Sequence, residues 1–260
     1  MADKSNSRFY ETVDRELVYS TPDIAEEHPV FPILKEFVLK WSLGNKKCLE
    51  IGSGKGIFQN IVDDYTGVDI AENLSKNYHK KYVSVEDAKL PFPDSSFDAV
   101  FSYATHEHIP DVETALEEIV RVLKPGGVCL LAPAWQTRPW FAGGYQVRPF
   151  SGLTLKEKFI KASIPFKDFF LIRWSIVLIR RLIRLIQYAG YKDPPIPLKY
   201  RKLEPNYEIY WQSDSDACNS LDQFDILLWF KSRNFICWGH ESILRILFSR
   251  AAAIELQKAP

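Results

Sequence analysis

The sequence predicts an α/β domain built on a mostly parallel sheet, and three observations carry that prediction. Short apolar runs alternate with segments of helical spacing through the first half of the chain. A glycine-rich stretch, CLEIGSGKGIF (48–58), contains the first of those runs and its end. The polar residues with the most chemistry stand where the runs finish, and in such sheets those ends form one edge.

Each element follows from its residues. HPVFPILKEFVLKW (28–41) has apolar residues at helical spacing and leads into KCLEI (47–51), a short buried strand closed by the glycines. IFQNIVDD (57–64) reads as the next helix, and YTGVDI (65–70) as a second strand ending at Asp69. KYVSVED (81–87) is a third strand, FDAVFSY (97–103) a fourth, and TALEEIVRVL (114–123) an amphipathic helix. KPGG turns the chain into VCLLAPA (128–134), a fifth strand. Helical segments between strands imply parallel pairing through right-handed crossovers. The closing elements are expected at 219–232, 235–240 and 251–256.

Composition narrows the function classes. The 260 residues are 46% hydrophobic and 14% aromatic, enough for one large domain or for one domain with a sizeable insertion. Thirty-three basic side chains balance thirty-three acidic ones, which removes the bulk electrostatic case for a nucleic-acid partner. Cys48, Cys129, Cys218 and Cys237 lie far apart with no CxxC pair, so they read as reduced thiols. The polar start has no apolar signal-peptide core, and a cytoplasmic protein is expected.

Gly52, Gly54 and Gly56 let the backbone turn tightly and let a ligand lie against it. An ordinary β-to-α turn is the other reading of that loop. The G-x-G-x-G spacing departs from the G-x-G-x-x-G of dinucleotide sites, and Lys55 is followed by Gly56 and Ile57, not Ser or Thr. Glu50 beside the loop would repel phosphate and welcome an ammonium.

LEIGSGKG, TGVDI, EDAKLPFPDSSFDAVFS and HEHIPDVETALEEIVRVLKPGG, in that order over roughly residues 45–135, resemble the class I S-adenosylmethionine-dependent methyltransferases of the small-molecule type 11 group. The resemblance implies a Rossmann-like, mostly parallel seven-stranded sheet with helices on both faces. It implies S-adenosyl-L-methionine as cofactor, with Gly52, Ser53, Gly54 and Gly56 under its methionine part and Glu50 near its amino group. Asp69 would accept from both ribose hydroxyls and Ile70 would pack on the adenine. Asp87 would hold the adenine amino group with Ala88 at the ring edge, and Ser102 and Tyr103 would flank the methionine chain. A fixed carboxylate suits a diol on chemical grounds as well.

A hydroxyl acceptor needs a base, and ATHEHIPD (104–111) offers His106 and His108 directly after the fourth strand. Asp214 and Asp216 in YWQSDSDACNSLDQFD (210–225) are a second pair, able to line an acceptor site or to act as base. Helix capping is the competing reading of these acids. H-E-H is not H-E-x-x-H, so no metal is expected.

An excess of residues after the fifth strand, about 136–210, is expected to form a lid or acceptor region. It would separate a cofactor core (45–135) from a C-terminal part (211–260) that completes the sheet, with an N-terminal helical cap over 1–44. TRPWFAGGYQVRPFSG (137–152) is aromatic and loop-like, suited to a flat ring or a sugar face. On the helix read over 166–191, Arg173, Arg180, Arg184 and Gln187 share a narrow face, with Arg181 at its margin, opposite a broad apolar one. That pattern fits a membrane interface, with the arginines toward anionic head groups, or a lid or dimer helix. The expected activity is O-methylation of a saccharide, a lipid-linked glycan precursor or another small molecule. N-methylation of a metabolite and a non-catalytic cofactor-binding partner are the alternatives.

Overall fold

In the computed structural model, which describes residues 9–12, 22–191, 195–207 and 214–260, the run at 47–51 becomes the third strand of a seven-stranded sheet. The strands are β1 (Lys47–Ile51), β2 (Asp64–Asp69), β3 (Lys81–Ser84), β4 (Phe97–Tyr103), β5 (Leu123–Ala132), β8 (Phe235–Trp238) and β9 (Ile254–Lys258), in the spatial order β3-β2-β1-β4-β5-β9-β8. The five N-terminal strands pair in parallel, while β9 runs antiparallel to both β5 and β8. This is the class I methyltransferase topology that the motifs imply. Two residues each from β6 (Arg201–Lys202) and β7 (Asn219–Ser220) form a separate small ladder.

Strand alternation sends side chains to two cores. Leu49, Val68, Val100 and Leu131 enter one, with α2 (Val112–Val122) and α5 (Gln223–Lys231) supplying its cover. Cys48, Tyr65, Phe101 and Leu130 enter the other, closed by α1 (Phe31–Lys40) through Leu34, Phe37 and Val38. Asp111 caps α2 by accepting from Thr114 N. All four cysteines are free and buried.

One expected helix is not there. Residues 57–60 form turns, closed by short-range hydrogen bonds such as Gln59 N to Gly56 O at 3.1 Å and Ile61 N to Phe58 O at 2.9 Å. Gln59 is used instead as a clip: its amide donates to Asn77 O, and its oxygen accepts from His79 N.

Between β5 and β7 lie α3 (Leu155–Asp168) and α4 (Phe170–Ala189), where the sequence reading had a single helix over 166–191. Pro165 sits within α3, and Phe169, extended at φ −59 and ψ 123, separates the two helices. Thr154 and Glu157 form a reciprocal cap at the start of α3. The larger departure is the orientation of α4. Arg180 and Arg181 both reach Asp222 at 2.7 Å, and Arg184 pairs with Asp225. Arg181 is 1% exposed and also donates to Leu247 O and Ser249 O. Arg181 is thus enclosed by the protein, while Arg180 and Arg184 turn to the two carboxylates at the start of α5, with 37% of the Arg180 side chain still exposed. Beyond α5, the five-residue α6 (Ile243–Leu247) contributes Ile246 and Leu247 to the core.

Candidate active site

The C-terminal ends of β2, β1 and β4, with the loop after β3, bring the sequence-marked residues to one edge of the sheet. Gly52, Gly54 and Gly56 all have positive φ, at 72°, 51° and 72°. A Cβ at Gly52 would lie 2.0 Å from Thr105 Oγ1, and one at Gly56 would lie 2.6 Å from the Tyr78 ring, so side chains are excluded there. Ser53 is buried; its hydroxyl donates to Val68 O at 3.2 Å and accepts from Tyr78 OH at 2.7 Å. The half-buried Asp69 carboxylate accepts from Gly54 N at 2.8 Å and Ala71 N at 3.1 Å. That fixes it against the glycine loop, and each oxygen retains a lone pair for a further donor.

Ile70 follows Asp69 and is half-buried. Asp87 lies exposed after β3 and accepts from Lys89 N at 2.8 Å, with Ala88 half-buried beside it in sequence. Ser102 is buried and donates to Ile51 O at 3.0 Å, and Tyr103 ends β4 at the surface. Glu50, Ser102 and Tyr103 line one cavity with Val30, Leu34, Phe58, Phe101, Leu130 and Ala132.

Glu50 is 4% exposed and accepts a short hydrogen bond from Tyr65 OH. Burial pushes its carboxyl up to about 8, and the nearby Asp69 adds to that, while the Tyr65 hydrogen bond opposes it. A carboxyl so placed is short of positive charge, and an ammonium group is the chemistry that would convert it to an anion. His28 covers this end, packing edge-on against Tyr103 at 4.7 Å and Phe58 at 5.2 Å between ring centres. Lys55 reaches Asp23 at 3.3 Å across the same edge. Neither His28 nor Tyr65 stands out in the sequence, where their rings look like ordinary core at helix and strand spacing.

A second polar cluster is built where residues 214–220 return to the turn after β4. Cys218 N donates to Glu107 O at 2.8 Å, and Asn219 Nδ2 donates to Ile109 O at 2.6 Å. This stitching sets Asp216, itself fully buried, 3.3 Å from His108 Nδ1. Tyr10 OH donates to the same Asp216 oxygen at 2.5 Å, so the described N-terminal turn at 9–12 reaches the site. Asn73 Nδ2 ties that turn down by donating to Glu11 O at 2.8 Å.

The two histidines separate. His106 is 1% exposed with Nδ1 3.2 Å from Ser102 Oγ, and burial lowers its pKa to about 4. Burial opposes a charged His108 too, but the carboxylates of Asp216, Glu107 and Asp214 outweigh it and raise its pKa above the ordinary value. Burial also raises Glu107 and Asp214. Glu107 Oε1 accepts from Ala134 N at 2.8 Å, an anchor the sequence reading overlooked although the residue stands inside the H-E-H motif. Among the described residues, Glu107, His108 and Asp214 each bring one potential ligand atom within 4.8 Å of the others, close enough to hold a cation in common.

Residues 49–131 match the family described as Methyltransferase domain. A sterol 4-C-methyltransferase of Caenorhabditis elegans is 36% identical over 98 residues, covering 32% of this chain and 29% of the relative. A demethylmenaquinone methyltransferase of Staphylococcus aureus is 42% identical over 77 residues, covering 26% and 32%. The chain spans about 30% of the length of these curated relatives. Among solved structures, an S-adenosylmethionine dependent methyltransferase from Mesorhizobium loti aligns over 90% of this chain and 100% of its own, with a TM-score of 0.50 and 14% identity. At that identity the likeness speaks for the fold, and the fold carries a side-chain-free cradle, a fixed acceptor for a diol and a buried carboxyl suited to an ammonium. Those three features fit S-adenosylmethionine.

Proposed function

We propose that this chain, which carries a class I methyltransferase domain with S-adenosylmethionine as its cofactor, methylates an oxygen of a hydroxyl-bearing amphiphile, a saccharide or lipid-linked glycan precursor first among them. The observation that carries the oxygen is the His108–Asp216 pair at 3.3 Å. An amine acceptor needs only to be neutral, whereas a hydroxyl must lose its proton as it reacts. In this reading residues 45–135 hold the cofactor, and 136–210 supply acceptor walls near the inner face of a membrane.

The bound cofactor supplies a methyl group on positively charged sulfur. Glu50 receives its amino group, the Gly52–Gly56 backbone supports its methionine chain with Ser102 and Tyr103 beside it, and Asp69 takes the ribose hydroxyls. Asp87, Ala88 and Ile70 frame the adenine. Asp216, 3.3 Å from His108 Nδ1, favours the tautomer with its proton on that nitrogen, which leaves the Nε2 lone pair, 3.8 Å from Glu107 Oε1, for the acceptor proton. Glu107 and Asp214 keep the resulting imidazolium favourable, and the buried setting excludes water. His106, neutral and enclosed, serves as a support for Ser102. The sterol and menaquinone relatives favour a second reading, carbon methylation of a ring-bearing lipid. The amphiphilic class of acceptor is common to both.

Calorimetric titration with S-adenosylmethionine and S-adenosylhomocysteine tests the cofactor, and no binding of either overturns the whole reading. Release of S-adenosylhomocysteine is then followed across lipid-linked saccharides, quinols and sterols. With the productive acceptor, kcat/KM should rise with pH through a value above 6.5, as His108 becomes neutral. Asp216→Asn should move that rise to lower pH and slow turnover about 10²-fold, the scale of a disabled base, with cofactor affinity unchanged. A pH profile identical in both proteins would remove His108 from the chemistry.

A further inference from the structure

We propose that α3 and α4 rest in the head-group plane of an anionic lipid bilayer, with their apolar face toward the acyl chains. Such a face serves the amphiphilic acceptor proposed above and rests on that reading for its role. Helix α4 is amphipathic in the inverted sense. Three of its four arginines are turned to Asp222 and Asp225, and the side left for the surroundings is mostly apolar. Eleven large apolar side chains from Phe159 to Ile186 are each at least 41% exposed, with Ile172, Ile176, Ile179, Ile183 and Ile186 forming one stripe at helical spacing. A patch of that extent is far more than scattered surface hydrophobicity.

Charge selects the occupant. The only carboxylates on the two helices, Glu157 and Asp168, are engaged by Arg148 and Arg138. Lys156, Lys167 and Arg250 are exposed around the patch, the last stacked 3.7 Å from the Trp174 ring centre. Two guanidinium groups, Arg180 and Arg181, share the single carboxylate of Asp222, which leaves positive charge in excess. Arg180 Nε is buried without a hydrogen-bond partner among the described residues. It borders a groove of about 380 Å³ lined by Ile176, Ile179, Arg180, Ile183, Arg184 and Gln187. Apolar walls beside surplus positive charge match a lipid acyl chain and its phosphate. A second copy seated on the same face would set these cations against their own counterparts. No helix among the described residues is long and apolar enough to cross a membrane, so α4 lies along the surface.

The full chain is tested by flotation with vesicles of phosphatidylcholine and phosphatidylglycerol in equal parts, and with pure phosphatidylcholine. Binding to the anionic vesicles should exceed binding to the neutral ones at least tenfold. Ile179→Asp with Ile183→Asp should reduce it at least tenfold while leaving thermal unfolding and S-adenosylmethionine affinity unchanged, since both side chains are more than half exposed. Absence of wild-type binding to anionic vesicles, or equal binding by both proteins, overturns the inference. So does a wild-type dimer that the double variant turns into a monomer without any vesicle binding. Methyl transfer to a soluble acceptor by a protein that ignores vesicles would overturn this inference alone. Vesicle binding without cofactor binding would overturn only the enzymatic reading.

Discussion

Glu50, to which we assign the cofactor's amino group, shows how a residue kept for a ligand can oppose the fold that holds it. Its carboxyl ordinarily titrates at 4.5 and is pushed up to about 8 in the folded chain. The folded state thus holds a proton that the unfolded state releases, and stability falls as pH climbs from about 4.5 toward 8. Glu50→Gln should remove that dependence, raising stability at pH 8 by about 1–3 kcal/mol with no gain below pH 4.5. Cofactor affinity should fall at least tenfold in the same variant. Urea unfolding at three pH values, beside calorimetry, checks both. At this scale the sequence was partly legible. Three glycines at alternate positions and a preceding acid marked the cradle, because few other residues tolerate positive φ. Tyr65, which donates to Glu50, and Tyr10, which donates to Asp216, were not legible. Their roles depend on contacts across 15 and 206 positions of chain.

Among the elements, α4 shows why periodicity finds a helix but not its orientation. The spacing of its arginines placed them on one side and the aliphatic residues on the other. Which side meets the protein was settled by Asp222 and Asp225, some forty residues further on. Asp222 accepts from two arginines, from Gln136 Nε2 and from Phe224 N at the start of α5. Asp222→Ala should therefore destabilise the chain by about 3–5 kcal/mol, because it strands the buried Arg181. Urea denaturation measures the loss, and a change below 1 kcal/mol would mean that solvent reaches the pair. The strands at 47–51, 65–70 and 97–103 were legible to within a residue at each end, as short apolar runs between turn signals. The helix expected at 57–64 was not formed, because its apolar spacing also suits a turn segment clipped by Gln59.

Over the whole molecule, the parallel half could be anticipated from alternation of strand and helix, and the order of all seven strands only through family resemblance. Two of the seven, β8 and β9, come from the last 26 residues and close the sheet antiparallel. The proposed acceptor edge depends on equally distant chain, since residues 214–220 must fold back onto 106–109 before His108 and Asp216 meet. That division of labour makes the four free cysteines into clocks. Cys48 and Cys129 lie in central strands with no exposure, Cys237 is in the edge strand β8, and Cys218 belongs to the returning segment. Burial, with Asp98 and Asp64 adding to it, pushes the Cys48 thiol up to about 12, so reaction with a maleimide requires opening first. Mass-resolved labelling should find Cys218 modified earliest and slowed by bound ligand. Cys48 and Cys129 should follow only at the rate of global unfolding. Simultaneous labelling of all four would mean that the acceptor edge never opens by itself, and that substrate must enter a site already standing ajar.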